Sequence, residues 1–87
     1  MKETKTIKAG NVLRNLRTKR KLSQEETAYR AKLDRTFISM LERDIKQPTL
    51  TTIFSLAKAF EMKPSELVRE IENDDEIKLC IDEDTDY

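Results

Sequence analysis

The chain has 87 residues, which is enough for one small domain with a single core. It contains no histidine and one cysteine, Cys80, so an internal disulfide is excluded, and neither a metal site nor an activated catalytic nucleophile is expected. We therefore predict no cofactor, no small-molecule ligand and no enzymatic activity. Because no segment has the character of a membrane span or a secretory signal, we also expect a cytoplasmic protein without membrane contact.

The formal net charge of zero conceals two parts of opposite charge. Residues 1 to 71 contain 16 Lys and Arg and 9 Asp and Glu, a balance of +7. Residues 72 to 87 contain one Lys and 8 acids, a balance of −7. A basic domain favours polyanionic partners, because its cations displace the counterions of nucleic acids. The sequence thus predicts a basic domain over residues 1–71 and an acidic tail over residues 72–87.

The first helix is predicted from about residue 7 or 9 to residue 20. Its core-facing residues are Val12, Leu13 and Leu16. The second helix is predicted over residues 24–32. Ser23 and Glu26 have the spacing of a capping box, in which each side chain accepts an amide that the helix start leaves unpaired.

Leu33 lies in a tight turn before a third helix, predicted over residues 35–43, and Asp34 is a favourable N-cap for it. Ile38 and Leu41 are three residues apart and face the same way, toward a core. The polar residues fall largely on the other side: Arg35, Thr36, Ser39 and Arg43. A helix held from behind, with guanidinium and short polar groups in front, suits the major groove of DNA.

Two further helices complete an all-α, compact five-helix fold. Thr49, after a loop closed by Pro48, is an N-cap for a fourth helix over residues 50–60. Pro64 fits the first position of a fifth helix. These two helices have more apolar residues than one small core needs, which predicts a dimer interface; alternatively the same residues close the monomer core. The interface candidates are Phe60, Met62, Leu67, Val68 and Ile71.

The acidic tail allows more than one structure. Residues 76–82 alternate in hydropathy, as a short strand would, but the segment is also compatible with an extension of the fifth helix. A sharper hypothesis is that the tail folds over the basic face and weakens non-specific DNA binding. Cys80 is interpreted as a small apolar residue and not as a redox switch.

Several spaced segments together resemble the phage-repressor and Cro-like (XRE-type) helix-turn-helix regulators, over about residues 10–71. They are GNVLRNLR from residue 10, SQEE from residue 23, ISMLER from residue 38 and PTL from residue 48. The run LDRTFIS from residue 33 is similar to the controller proteins of restriction-modification systems. The resemblance implies a sequence-specific DNA-binding regulator of transcription, a repressor or an activator, that acts as a homodimer on palindromic double-stranded DNA. An antitoxin-like module that also binds a partner protein through its tail is the alternative.

Four residues are predicted to read bases: Arg35, Thr36, Ser39 and Met40. Arg35 can reach guanine O6 and N7 together, or else contact phosphate or the acids of the second helix. Thr36 can touch a thymine methyl group or a base edge, unless it bonds to its own backbone. Met40 packs on thymine methyl groups or fills the core.

Seven residues are predicted to contact the DNA backbone: Gln24, Phe37, Arg43, Lys46, Arg14, Lys19 and Lys21. Gln24 stands at the start of the second helix, where its amide, its side chain and the helix dipole suit a phosphate oxygen. The resemblance implies the same role for it, and the alternative is an exposed polar residue. Phe37 is either a wedge against the sugars or a core residue. Such contacts set register and affinity but not sequence preference.

The resemblance also implies an ion pair between Arg17 and Glu42, which would tie the first helix to the end of the third. Family members often place glycine after these helices, where the backbone becomes left-handed. This chain has other residues there: Lys21, Lys32, Asp44 and Glu61. If these residues adopt positive φ, each costs about 1 kcal/mol relative to glycine; alternatively, the turns are reshaped.

Overall fold

The structure, a computed structural model, describes residues 7–74 and contains five α-helices in that part of the chain. They are α1 (Gly10–Lys19), α2 (Gln24–Ala31), α3 (Arg35–Glu42), α4 (Leu50–Ala59) and α5 (Pro64–Glu72). The predicted all-α fold is confirmed, and α1 to α4 each end one residue before the predicted end. The alternating segment at residues 76–82 and Cys80 lie outside the described residues. Within residues 7–74 no helix is both long and apolar enough to cross a bilayer.

A single apolar core lies between the helices. Helix α2 packs against α3 and α4, α4 packs against α5, and α1 packs against α3. The largest side chains wholly inside are Phe60, Leu41, Leu56 and Leu67. Ala28 and Ala31 are also buried, which lets neighbouring helices approach α2 closely. Helix α3 is therefore supported from behind by α1 and α2.

Three of the five residues predicted for a dimer interface belong to this core. Phe60, Leu67 and Ile71 are 2%, 0% and 8% exposed, so a second copy cannot reach them. Met62 is half-buried and packs against the core, whereas Val68 is 47% exposed. The interface prediction is wrong for the three buried residues, because the count of apolar residues did not reveal which helix faces already meet within one chain.

Helices α1 to α4 all end in a Schellman motif, in which a left-handed residue reverses the chain and two amides close on the last turn. The left-handed residues are Lys21, Lys32, Asp44 and Glu61, with φ between 56° and 60°. After α1, the Leu22 amide donates to the Arg17 carbonyl at 3.1 Å, and the Lys21 amide donates to the Thr18 carbonyl at 2.9 Å. All four residues thus adopt positive φ, and the turns are not reshaped to avoid it.

An apolar residue follows each left-handed residue, and in three of the motifs it turns back toward the core. These three are Leu22, Leu33 and Met62. Ile45, which follows Asp44, is instead 57% exposed. The chain after α3 therefore turns outward, into the loop that connects it with α4.

Helix α1 begins directly against the end of α3. The Gly10 amide donates to Asp44 Oδ1 at 3.0 Å, across 34 positions of sequence, and so finds a partner that its own helix does not supply. A Cβ atom at Gly10 would overlap the carbonyl oxygen of Glu42 and lie 2.9 Å from Asp44 Oδ2. Glycine is required here for the close approach of two backbones.

The predicted helix caps are formed in part. Ser23 Oγ accepts from the Glu26 amide at 2.9 Å, and Thr49 Oγ1 accepts from the amide three residues on at 3.1 Å. The Glu26 carboxylate does not complete the capping box, because it accepts from Arg30 Nε at 2.9 Å. Asp34 occupies the N-cap position of α3, but its side chain accepts no cap hydrogen bond. Asp34 is thus the N-cap residue, as predicted, but it does not cap the helix through its side chain.

Candidate nucleic-acid interface

Helix α3 is buried on one side and open on the other. Ile38 and Leu41 are 2% and 1% exposed and anchor the inner side. Arg35 and Thr36, in the first turn, are exposed, and Ser39 is half-buried one turn later. The exposed first turn of α3 lies beside the start of α2, because Arg35 Nη1 is 3.4 Å from Gln24 Oε1.

The two apolar candidates on α3 are less available than the polar ones. Phe37 is half-buried and packs against the core, which favours the core alternative. Met40 is half-buried without belonging to the core cluster, so part of its side chain remains at the surface.

Glu42, at the end of α3, is 4% exposed and has three polar neighbours from two other helices. Arg17 of α1 donates to both carboxylate oxygens, from Nε to Oε2 at 2.6 Å and from Nη2 to Oε1 at 3.1 Å. Gln24 Nε2 donates to Oε1 at 3.0 Å, and Arg14 Nε lies 3.6 Å from the same oxygen. The bidentate geometry is that expected for the ion pair, and it joins α1, α2 and α3 at one point.

The environment of Glu42 sets its charge. Burial raises the pKa of the carboxyl, because it disfavours the charged form. The hydrogen bonds from Arg17 and Gln24, with the positive charges of Arg17 and Arg14, lower it by more, so the pKa lies below the ordinary value of 4.5. The group is therefore an ionised acceptor at neutral pH.

Gln24 lies between this buried carboxylate and the exposed start of α3. Its side-chain NH2 group donates to Glu42, and its Oε1 accepts from Arg35 Nη1 at 3.4 Å. Gln24 is half-buried, so it is not simply an exposed polar residue. Its backbone amide remains at the first position of α2, where helix amides point away from the helix and toward any anion placed there.

The cations that follow α3 border its open face. Arg43 and Lys46 are exposed, and both lie within five residues of the helix end. Arg43 Nε donates to the Ser39 carbonyl at 3.3 Å, which lays the side chain back along α3.

The predicted phosphate-binding cations of α1 and of the turn after it lie at different places on the surface. Arg14 is half exposed and approaches Glu42, so it stands beside the end of α3. Lys21 is exposed in the turn that leads to α2. Lys19 borders a groove between α1 and α5 together with Glu70 and Asp74. The structure therefore places Lys19 with the acidic end of α5 and not with α3. This position argues against the predicted contact between Lys19 and the DNA backbone.

Two structural residues were not found by sequence reasoning. Arg20 Nε donates to the Phe60 carbonyl at 2.8 Å, and its guanidinium stands 5.6 Å from the centre of the Phe60 ring. It thereby satisfies the end of α4, where a cation also suits the helix dipole. Asp44 likewise satisfies a helix terminus, because its carboxylate accepts a hydrogen bond from the amide of Gly10, the first residue of α1. Both partners lie at least 34 positions away, so local patterns contain no signal for them.

An apolar surface that the sequence analysis did not identify lies at the start of α4. Leu50 and Phe54 are 71% and 56% exposed and are one helical turn apart, with Thr51 beside them. In residues 7–74 no group of acidic side chains comes together as a metal site would require.

Helix α2, a tight turn and a helix α3 whose polar face is open define a helix-turn-helix DNA-binding protein. The helix-turn-helix family model matches residues 13–67, and the chain belongs to this family of DNA-binding transcription regulators. It is therefore a regulator and not an enzyme.

Known proteins similar to the chain are of the same kind. An immunity repressor protein of Bacillus phage phi105 is 34% identical over 61 residues, which cover 70% of this chain but 42% of that repressor. The control protein C.BamHI of Bacillus amyloliquefaciens is 35% identical over 60 residues, covering 68% of this chain and 74% of that protein. The crystal structure of the restriction-modification controller protein C.AhdI from Aeromonas hydrophila matches with a TM-score of 0.66 and 41% identity, covering 70% and 92% of the two chains.

Proposed function

We propose that this protein represses transcription by binding a palindromic operator as a homodimer, with α3 of each copy in the major groove. The observation that carries the proposal is the division of α3 into a buried inner side and an exposed polar first turn. Two-fold symmetry would place the two copies of α3 about 34 Å apart, one turn of DNA. One short helix per copy then reads two half-sites.

Arg35 is the principal base-reading residue in this proposal, because a guanidinium at the helix start can bond guanine O6 and N7 together. Thr36 and Ser39 offer hydroxyl groups one turn apart, and Met40 offers the exposed part of its thioether chain. Phosphate contacts come from the exposed cations near α3 and from the first amide of α2. The cations are Arg14, Lys21, Arg43 and Lys46.

Selection of bound sequences from random DNA tests this assignment. Wild-type protein should enrich a palindrome, and Arg35→Ala should lose the preference at one position of each half-site, at a cost of about 1–3 kcal/mol. Arg43→Ala is the matched control, because a phosphate contact contributes to every sequence alike. That variant should lower all affinities and flatten their salt dependence without altering the preferred bases. Equal binding of all sequences by the wild-type protein would contradict the proposal.

The proposed dimer uses the exposed apolar residues of α4 and α5. Leu50 and Phe54 form the patch on α4, and Val68 is the exposed member of the predicted interface. Burying large apolar side chains between two copies would stabilise each small domain.

Sedimentation equilibrium measures this association directly. Phe54→Ser should shift the protein toward monomer and weaken binding to the full palindrome by more than tenfold, because each copy then binds alone. Tyr29→Ser is the control, since Tyr29 is an aromatic residue that is 80% exposed on α2. A dimer that persists in Phe54→Ser would exclude this surface.

A further inference from the structure

An apolar groove lies between the segment before α1, the loop before α4 and helix α5. Its exposed lining residues are Ile7 and Val68, which are 55% and 47% exposed, and its floor includes the buried Ile53 and Ile71. Gln47 Nε2 donates to the Ile7 carbonyl at 3.0 Å, which holds the segment before α1 in place as one wall. A contiguous apolar surface of this kind marks a place where another segment or a partner binds.

The chain beyond residue 74 has three aliphatic residues at alternate positions, which are Ile77, Leu79 and Ile81. In an extended backbone, alternate side chains point to the same face, so all three can contact one apolar surface. Lys78 and Cys80 then lie on the opposite face. Placing the aliphatic face in the groove would remove apolar area of both from water, which is favourable.

The groove is within reach of this segment of the same chain. Asp74 lies beside Asn15 of α1, whereas Ala9 lines the apolar groove, so the two places are six residues, or about 9 Å, apart along the axis of α1. An extended chain covers about 3.3 Å per residue, so three residues beyond Asp74 span about 10 Å and seven span about 23 Å. Residues 77–81 can therefore cover the groove without a second copy.

Charge also favours this occupant. Ile7 and Gln47 line the groove, and the exposed Lys8 and Lys46 are their neighbours in the chain. Acidic residues flank the segment 77–81, and they are Glu76 on one side and Asp82, Glu83 and Asp84 on the other. An acidic segment with an aliphatic face thus matches an apolar groove with cations at its edge.

We propose that residues 77–81 dock in this groove of their own chain and compete there with dimerisation. Val68 lines the groove and is also the α5 residue of the proposed dimer, so the two contacts exclude each other. This competition, though not the docking itself, rests on the proposed function. Docking also brings acids close to Lys46, a proposed phosphate contact, and so opposes DNA binding by a second route.

Cys80 allows a direct test of the docking, because it is the single cysteine of the chain and accepts a nitroxide spin label without any substitution. In the labelled full-length protein, the NMR signals of Ile7 and Val68 should lose most of their intensity, compared with the same sample after reduction of the nitroxide. The Lys32 amide is the internal reference, because Lys32 lines a groove on a different side of α4, and it should be affected much less.

Substitutions on both sides of the contact show whether it is specific. Leu79→Ser should abolish the effect on Ile7, because it removes an aliphatic group from the docking face. Lys78→Ser is the matched control on the opposite face and should keep the effect. Val68→Ser changes an exposed groove residue, so the domain should stay folded while Ile7 recovers its intensity. Broadening that persists in Leu79→Ser, or that is centred on the exposed face of α3, would overturn the proposal.

A mixed sample identifies which chain supplies the segment. Isotope-labelled Cys80→Ser protein, which cannot carry the spin label, is combined with spin-labelled protein of natural isotope content. The signals of Ile7 and Val68 should then keep their intensity. Their broadening would place the segment of a second copy in the groove and would overturn docking within one chain.

Sedimentation equilibrium tests the competition with dimerisation. Leu79→Ser should associate more tightly than wild type by roughly threefold to tenfold, because the wild-type interface is free in only part of the molecules. Lys78→Ser should associate like wild type. Unchanged association of Leu79→Ser would overturn the competition. A lack of self-association in all three proteins, with docking present in the wild type, would instead refute the proposed dimer alone.

Discussion

The Glu42 carboxylate accepts hydrogen bonds from Arg17 and Gln24 while it is almost wholly enclosed. Because the three residues belong to α3, α1 and α2, this contact orients α3 relative to the rest of the domain. A buried pair of this kind is costly to break, since the remaining partner keeps its charge without compensation. Arg17 also donates to the Leu22 carbonyl at 2.9 Å, which leaves it one partner if the carboxylate is removed.

The pH dependence of the free energy of unfolding should show that the Glu42 carboxylate is charged in the folded protein. Glu42→Gln should lower the free energy of unfolding at pH 7 by about 3 kcal/mol, the lower end for a broken buried pair. The pKa of Glu42 is depressed in the folded state, so its stabilisation is fully present above 4.5 and is lost as the pH falls through the folded pKa. The difference between wild type and variant should therefore narrow below pH 4.5 in urea titrations.

The exposed Glu25 of α2 provides the control for this titration. Glu25→Gln should change the free energy of unfolding by less than about 0.5 kcal/mol at neutral pH. A constant difference between Glu42→Gln and wild type from pH 7 to pH 3 would contradict the proposed charge state.

At the scale of the helices, the same turn is used four times without glycine. For two of its left-handed residues, Lys21 and Lys32, no described side-chain contact explains why they are not glycine. Glu61 Oε2 lies 3.8 Å from Arg30 Nη1, but both side chains are exposed, so this ion pair contributes little. Asp44 differs, because its carboxylate accepts the Gly10 amide and so connects the end of α3 to the start of α1.

Glycine substitutions should separate these cases. Lys21→Gly, Lys32→Gly and Glu61→Gly should each raise the free energy of unfolding by up to about 1 kcal/mol, because the strain of a left-handed side chain is removed. Thermal unfolding should then shift upward by roughly 4–8 °C per kcal/mol. Asp44→Gly should gain nothing or lose stability, since it deletes the contact with Gly10. An equal gain at all four positions would show that this contact has no energetic value.

The helices and their ends were predictable because their signals are local. Each left-handed residue is followed by an apolar residue, as in Lys21-Leu22 and Glu61-Met62, and the caps Ser23 and Thr49 stand directly before their helices. The contacts of Arg20 with Phe60 were not predictable, because they depend on where a distant helix end comes to lie.

The candidate site was predictable in part, for the same reason. The open face of α3 follows from helical spacing, and the Arg17–Glu42 pair followed from the resemblance to the family. The place of Gln24 between Glu42 and Arg35 requires three helices in their final positions. Burial of Phe60, Leu67 and Ile71 likewise depends on which faces meet, and so the predicted interface included them wrongly.

At the scale of the molecule, the opposite charges of domain and tail predict an effect on DNA binding. Residues 75–87 contain six acids and one Lys, so deleting them leaves a chain with a net charge of +5. We expect non-specific DNA affinity at low salt to rise several-fold, because an acidic segment no longer competes for the basic surface. The increase should disappear above about 0.5 M salt, where charges are strongly screened.

Fluorescence anisotropy with a DNA of unrelated sequence measures this effect. A full-length variant with the six acids changed to Asn or Gln is the control for chain length, and it should behave like the shortened chain. Unchanged affinity in both proteins would exclude competition by the tail.

The one-sided anchoring of α3 has a consequence for how new binding preferences arise. Ile38, Leu41 and Glu42 hold the helix, while Arg35 and Thr36 project from it, so the two sets can be exchanged independently. If the outward side chains of a relative with the same anchoring residues replaced those of this chain, the hybrid protein should keep its stability. It should then bind the DNA sequence that the relative binds.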